Sequence, residues 1–221
     1  MRTAAILVFF TLANLVFANN SKTASDLNTA ANASYLSPLE KEIIYEINLF
    51  RSNPAKYAKK YIAPLARHYK ENIFYYPNDT PIRTQEGVKA LQECVRDLKK
   101  ATAQPILYPN EALTKAAVDH CNDQSKTGQT GHDGSDNSNI KTRIERYGKW
   151  KIRIAENIAY GNSSARQIVV FLLIDDNVKS RGHRLNLLHP DFNLVGVATG
   201  THPVYSTICV MDFAGGMTEN N

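Results

Sequence analysis

The chain is expected to fold as an α+β domain, helices layered on a mainly antiparallel sheet. Three observations carry this expectation. Apolar residues recur at helical spacing early in the chain, as at Ile43, Ile44, Ile47 and Phe50. Residues 152–159 then read as a strand set between helical stretches. Residues 194–199 and 204–213 read as two further strands, a hairpin around Gly200-Thr201-His202-Pro203. Helices followed by strands interleaved with more helices form a layered α+β pattern. With 221 residues, 43% of them hydrophobic and 21% charged, the chain can bury one sizeable core, and no internal repeat or second domain is visible.

The N-terminus reads as an address. Arg2 precedes an apolar stretch, residues 4–16, too short to span a bilayer comfortably, and Val16-Phe17-Ala18 places small residues where a signal peptidase reads. Residues 1–18 are therefore expected to be a secretory signal peptide, and the protein to be secreted and extracellular. Residues 19–36 are rich in Asn, Ser, Thr and Ala, with little apolar surface to offset ordering entropy, and are expected to be a disordered segment before a single domain over 37–221. Asn19, Asn32, Asn78 and Asn162 each open an N-x-Ser/Thr triplet, relevant where the source glycosylates exported chains.

Within the domain, Ser37-Pro38-Leu39-Glu40 is a capping box with Pro at the first helical position. Asn53-Pro54 interrupts that helix before a second one through Tyr57 and Tyr61. Residues 68–87 hold Tyr69, Phe74, Tyr75, Tyr76, Pro77 and Pro81 without a period and read as an irregular excursion, its aromatics a packing patch before a ligand shelf. Val88, Leu91, Val95 and Leu98 mark the next helix. Asn110 caps another, whose inner stripe is Leu113, Ala116, Ala117, His120, Cys121 and Gln124, with His120 read as a hydrogen-bonded core residue. Residues 139–147 form a short helix that Gly148 can end, and Ser163 or Ser164 caps an apolar helix over 166–175.

The net charge of +5 comes from 26 basic against 21 acidic residues and gathers in no run of five, so no nucleic-acid partner is expected. Cys94, Cys121 and Cys209 allow one disulfide or three buried thiols, and nothing near them has zinc-finger spacing.

Two His and two carboxylates stand out. His132 sits in Gly131-His132-Asp133-Gly134 and His183 in Arg181-Gly182-His183-Arg184, both settings free of regular packing demands. Glu156 interrupts an otherwise apolar strand, and Asp175 ends an apolar helix. A carboxylate in such surroundings needs a partner, because desolvating it alone is costly; an imidazole, a metal ion or Arg184 could serve. On spacing alone the two acids could equally be structural.

The ordered set of Gly131-His132, Ala155-Glu156-Asn157-Ile158-Ala159-Tyr160-Gly161 and Ser180-Arg181-Gly182-His183-Arg184-Leu185-Asn186-Leu187-Leu188 resembles the CAP superfamily of cysteine-rich secretory proteins, antigen five and pathogenesis-related class-one proteins. Residues 46–54 resemble its first helix and 189–198 the approach to its penultimate strand, the likeness being nearest to the Cys-poor, bacterial-type SCP domain. The resemblance implies a three-layer α-β-α sandwich with a groove holding His132, His183, Glu156 and a second acid, Asp175, with Asp176 as substitute. Ala155 stands where many members have Gly, and the Cys pairs and hinge domain of the animal proteins are lacking.

The expected function is a secreted binding module whose His132, Glu156, Asp175 and His183 hold a divalent cation, zinc foremost, since neutral imidazoles suit it and the carboxylates can hold the other ring nitrogens. A sterol, another lipid or an extracellular protein is implied as partner by the resemblance alone. The alternative is a metal-assisted hydrolase with Glu156 as general base, although neither Gly-x-Ser-x-Gly nor His-Glu-x-x-His occurs. A third reading makes the four side chains a purely structural network.

Overall fold

The structure, a computed structural model, describes residues 22–219. The expected signal peptide, residues 1–18, lies outside them. The helices are α1 (Ala24–Leu27), α2 (Pro38–Ser52), α3 (Pro54–Tyr57), α4 (Val88–Lys100), α5 (Glu111–Thr127), α6 (Ile140–Glu145), α7 (Ala165–Ile174) and α8 (Gly182–Leu188). The strands are β1 (Tyr69–Lys70), β2 (Ile73–Phe74), β3 (Ile82–Arg83), β4 (Tyr108–Pro109), β5 (Gly148–Tyr160), β6 (Leu194–His202) and β7 (Ser206–Glu219). The central sheet runs β4-β6-β7-β5; β4 pairs parallel with β6, and the other pairings are antiparallel.

Alternation along β7 builds the layers. Cys209, Met211 and Phe213 join the core shared with α2, α4 and α7 on one face, while Ile208, Val210 and Ala214 pack towards α5 and α6 on the other. This is an α-β-α sandwich. Its helices start where the sequence signals: Ser37 and Glu40 exchange backbone bonds at 3.3 and 2.7 Å, and Asn110, Asn139 and Ser164 each cap the following helix. Asn53 ends α2 and caps α3 with its side chain, which is why the chain turns there. Gly196 lets α5 lie flush on the sheet, since a Cβ there would sit 2.1 Å from the Leu113 carbonyl carbon.

Four expectations need adjustment. Residues 22–36, read as loose, are packed: Leu27, Ala30 and Leu36 are buried, and the fully buried Asn48 of α2 donates to Leu27 O at 3.1 Å and exchanges bonds with Leu107 at 3.0 and 2.7 Å. A few small apolar anchors and a distant amide replace the large side chains the segment lacks. The hairpin turn falls at residues 203–205 because His202 Nδ1 accepts from the Val204 and Tyr205 amides, extending β6. The excursion over 68–87 contains the small sheet β1-β2-β3, pinned by Tyr69 stacked on Phe74 at 4.3 Å. The setting of His183, read as free of regular packing demands, is helix α8. Cys94, Cys121 and Cys209 are free, buried thiols.

Candidate functional site

β5 is the outer strand of the sheet, and the candidate residues flank it. Glu156 is buried, pairs in register with Asp212 of β7 and faces α5 and α6. His132 reaches it from the loop between those helices. That loop leaves α5 at Gly128 in the left-handed conformation and is anchored at Gly131, whose carbonyl accepts from His120 Nε2 at 2.9 Å and Gln124 Nε2 at 2.6 Å. The Gly131 amide donates to the Tyr160 hydroxyl at 3.1 Å. So fixed, His132 donates from Nδ1 to Glu156 Oε1 at 2.8 Å.

The second Glu156 oxygen accepts from Arg143 of α6 at 2.7 Å, and the same guanidinium donates to the carbonyls of His132 and Ser138. Arg143 thus holds both the loop and the acid. Burial alone would raise the Glu156 pKa, but the His132 hydrogen bond and the Arg143 charge together bring it below its ordinary value. The bond to Glu156 in turn raises the His132 pKa against the opposing effect of burial. Asp212 is driven the other way, its pKa raised by complete burial and then by the charge of Glu156.

The second pair is built locally. Asp175 is the left-handed C-cap of α7, with φ 55°. That turn aims its carboxylate at the start of α8, where Oδ1 accepts from His183 Nδ1 at 2.7 Å and Oδ2 from the His183 amide at 3.0 Å. Arg181, also left-handed, bridges Glu86 and Glu93 and donates to Asp175 O, tying the entry of α8 to α4. Arg184 is no partner of the site acids: it donates to the Leu173 and Ile174 carbonyls and pairs with Glu93 and Asp97. Asp176, the possible substitute, accepts instead from the Gln85 and Glu86 amides.

Asn157 connects the pairs. It donates to His183 O at 3.1 Å and accepts from Asn186 at 2.9 Å, and as the neighbour of Glu156 it faces the opposite side of β5. All four candidates therefore form two His–carboxylate pairs on either side of one strand. Among the described residues, no three His, Cys, Asp or Glu side chains are grouped so that they could hold one metal ion. The carboxylate oxygens are all engaged, those of Glu156 by His132 and Arg143 and those of Asp175 by His183 alone. The atoms left for a metal are the two Nε2 nitrogens, neither of which is hydrogen-bonded among the described residues. The carboxylates are thus placed to orient the imidazoles, and the expected four-ligand shell is not formed among the described residues.

The family model described as "Cysteine-rich secretory protein family" matches residues 44–213, a span containing both pairs. The chain belongs to the CAP family. It is similar in structure to an extracellular SCP-domain protein of Bacillus anthracis, at 24% identity over 56% of this chain and 37% of that one, TM-score 0.42. It is also similar to an outer surface protein of Borrelia burgdorferi, at 18% identity over 58% of this chain and 89% of that one, TM-score 0.42. This CAP chain thus spans about a third of the Bacillus protein. No curated protein matches it.

In this CAP domain Ala155, where many members have Gly, pairs regularly with Phe213, so the backbone at Glu156 is undistorted. Sequence reasoning missed Arg143 and Asp212. Asp212 carried a signal, a lone acid inside the apolar run Val210-Met211-Asp212-Phe213. Arg143 carried none, since a cation on a short helix reads as exposed until the fold buries it.

Proposed function

We propose that this CAP domain is an extracellular binding module whose β5 flank takes a divalent cation, zinc by preference, on Nε2 of His132 and His183. The observation carrying this reading is that each imidazole has its Nδ1 held by a buried carboxylate, which sets the tautomer and leaves Nε2 without a hydrogen-bond partner among the described residues. When bound, zinc would supply a fixed positive charge and a Lewis-acidic centre for a partner's oxygen or nitrogen. Glu156 and Asp175 act as orienting partners. The extracellular location is supported by the apolar leader that the sequence carries at residues 4–16. No helix among the described residues is long and apolar enough to cross a membrane.

The hydrolase reading loses support because Glu156, its expected base, is doubly engaged and shifted below the ordinary carboxylate range, away from the value a general base needs near neutrality. A lipid or extracellular protein remains the partner class that the family resemblance implies. Calorimetric titration of zinc into the wild type and into His132→Ala/His183→Ala tests the proposal: binding lost in the double variant is expected, and equal binding by both refutes it. Because zinc competes with the proton and His132 is shifted upwards, uptake should already weaken while the pH is still above the ordinary His value of 6.5.

A further inference from the structure

A cavity of about 240 Å³ opens beside the second pair. Tyr69 and Phe74 line it from the small sheet, Phe171 from α7, and His183 with Asp175 contributes to the same lining. The rings form an ordered cluster: Tyr69 stacks on Phe74 with planes 9° apart, and Phe171 lies 5.6 Å from Phe74 at 30°. The one cationic side chain in the lining besides the His is the exposed Arg83, which makes no ion pair among the described residues. The two acids in the lining are engaged elsewhere, Asp175 by His183 and Asp176 by the Gln85 and Glu86 amides.

We infer that this cavity is a binding site for a small aromatic carboxylate, its ring among Tyr69, Phe74 and Phe171 and its carboxylate towards Arg83. Size supports a single ring: a cavity of about 150 Å³ suffices for benzene, whereas a sterol skeleton needs well over the volume present. Aromatic walls favour a planar ring over a saturated one of equal bulk, through edge and offset contacts. Among the described residues no acid pairs with the Arg83 guanidinium, so a carboxylate or similar acceptor head complements it. The inference deepens the proposed function by naming a ligand class next to His183 and rests on that reading only for the nearby cation; the cavity itself stands on its lining.

The test uses the intact secreted chain and calorimetry with 3-phenylpropionate, 3-cyclohexylpropionate, 3-phenylpropanol and cholesterol, each with chelator and again with zinc. Tightest binding by 3-phenylpropionate is expected, about three- to ten-fold above the saturated acid, with no uptake of cholesterol. Ile82→Trp, at the exposed rim, should block the mouth and abolish binding. Arg83→Gln, on the surface, should weaken the acid by about three- to ten-fold while leaving the alcohol unchanged. No binding of 3-phenylpropionate under either condition overturns the assignment, as does binding that Ile82→Trp leaves intact. Equal affinity for the saturated acid overturns its aromatic part, and indifference to Arg83→Gln its anionic part. Zinc binding without phenylpropionate sinks this site alone; phenylpropionate binding in chelator without any zinc binding sinks only the cation reading.

Discussion

The pairs His132–Glu156 and His183–Asp175 make nearly the same contact, at 2.8 and 2.7 Å, from different materials. In the first, the partners lie 24 residues apart, the histidine comes from a loop, and a third residue, Arg143, is buried with the acid to neutralise it. In the second, the partners are eight residues apart, and Asp175 is satisfied at both oxygens by the ring and the amide of one histidine. One buried carboxylate is satisfied by groups brought from elsewhere in the chain, the other by the local path of the backbone. The imidazoles inherit the difference: His132 is 55% exposed by side chain and His183 23%.

If that contrast holds, the largest effect belongs to Arg143. Arg143→Met leaves Glu156 buried with its charge opposed only by a half-exposed histidine, and should cost about 3–5 kcal/mol in urea unfolding. A loss below about 1 kcal/mol would mean that Glu156 simply takes up a proton and that the cation is dispensable.

A smaller effect should sharpen the local side of the comparison. Asp175→Ala removes two hydrogen bonds and forces Ala into the left-handed region, a loss of about 2–4 kcal/mol. Asp175→Gly removes the same bonds without the steric conflict and should recover roughly 1 kcal/mol of it. Equal destabilisation by Ala and Gly would show that the backbone conformation contributes nothing.

The smallest effect is in titration. NMR should place the His132 pKa above its ordinary 6.5, and Glu156→Gln should lower it. The sign follows from both partners. The raised His132 pKa gives a contribution that is complete below pH 6.5 and lost as the pH rises through the raised value. The lowered Glu156 pKa gives one present above pH 4.5 and lost as the pH falls through the lowered value. The pair therefore contributes most between about pH 4.5 and 6.5, and an unshifted His132 would contradict the bond.

Local signals made much of the fold legible. The capping box at Ser37, the caps at Asn110 and Ser164 and the alternation in β7 depend on residues within a few positions of one another, so chain order alone exposes them. Residues 22–36 were misjudged because their order depends on Asn48 and Leu107, remote in the chain. Helix α8 was missed because its seven residues begin with Gly and carry no side-chain cap; its entry depends on Arg181 reaching across to Glu86 and Glu93. Motif order pointed to His132, Glu156, Asp175 and His183, yet it could not divide them into pairs or separate the role of Asp175 from that of Asp176.

By itself, then, the amino-acid order determined an α+β domain, where most helices begin, and which four side chains to watch. Those properties follow from short-range periodicity and capping, which neighbouring residues impose on one another. Only the tertiary structure decided which acid meets which imidazole, that Arg143 lies beneath Glu156, and that an aromatic cavity adjoins His183. Each of these depends on desolvation and charge among groups that capping and periodicity do not relate to one another, and burial exists only once the layers have closed.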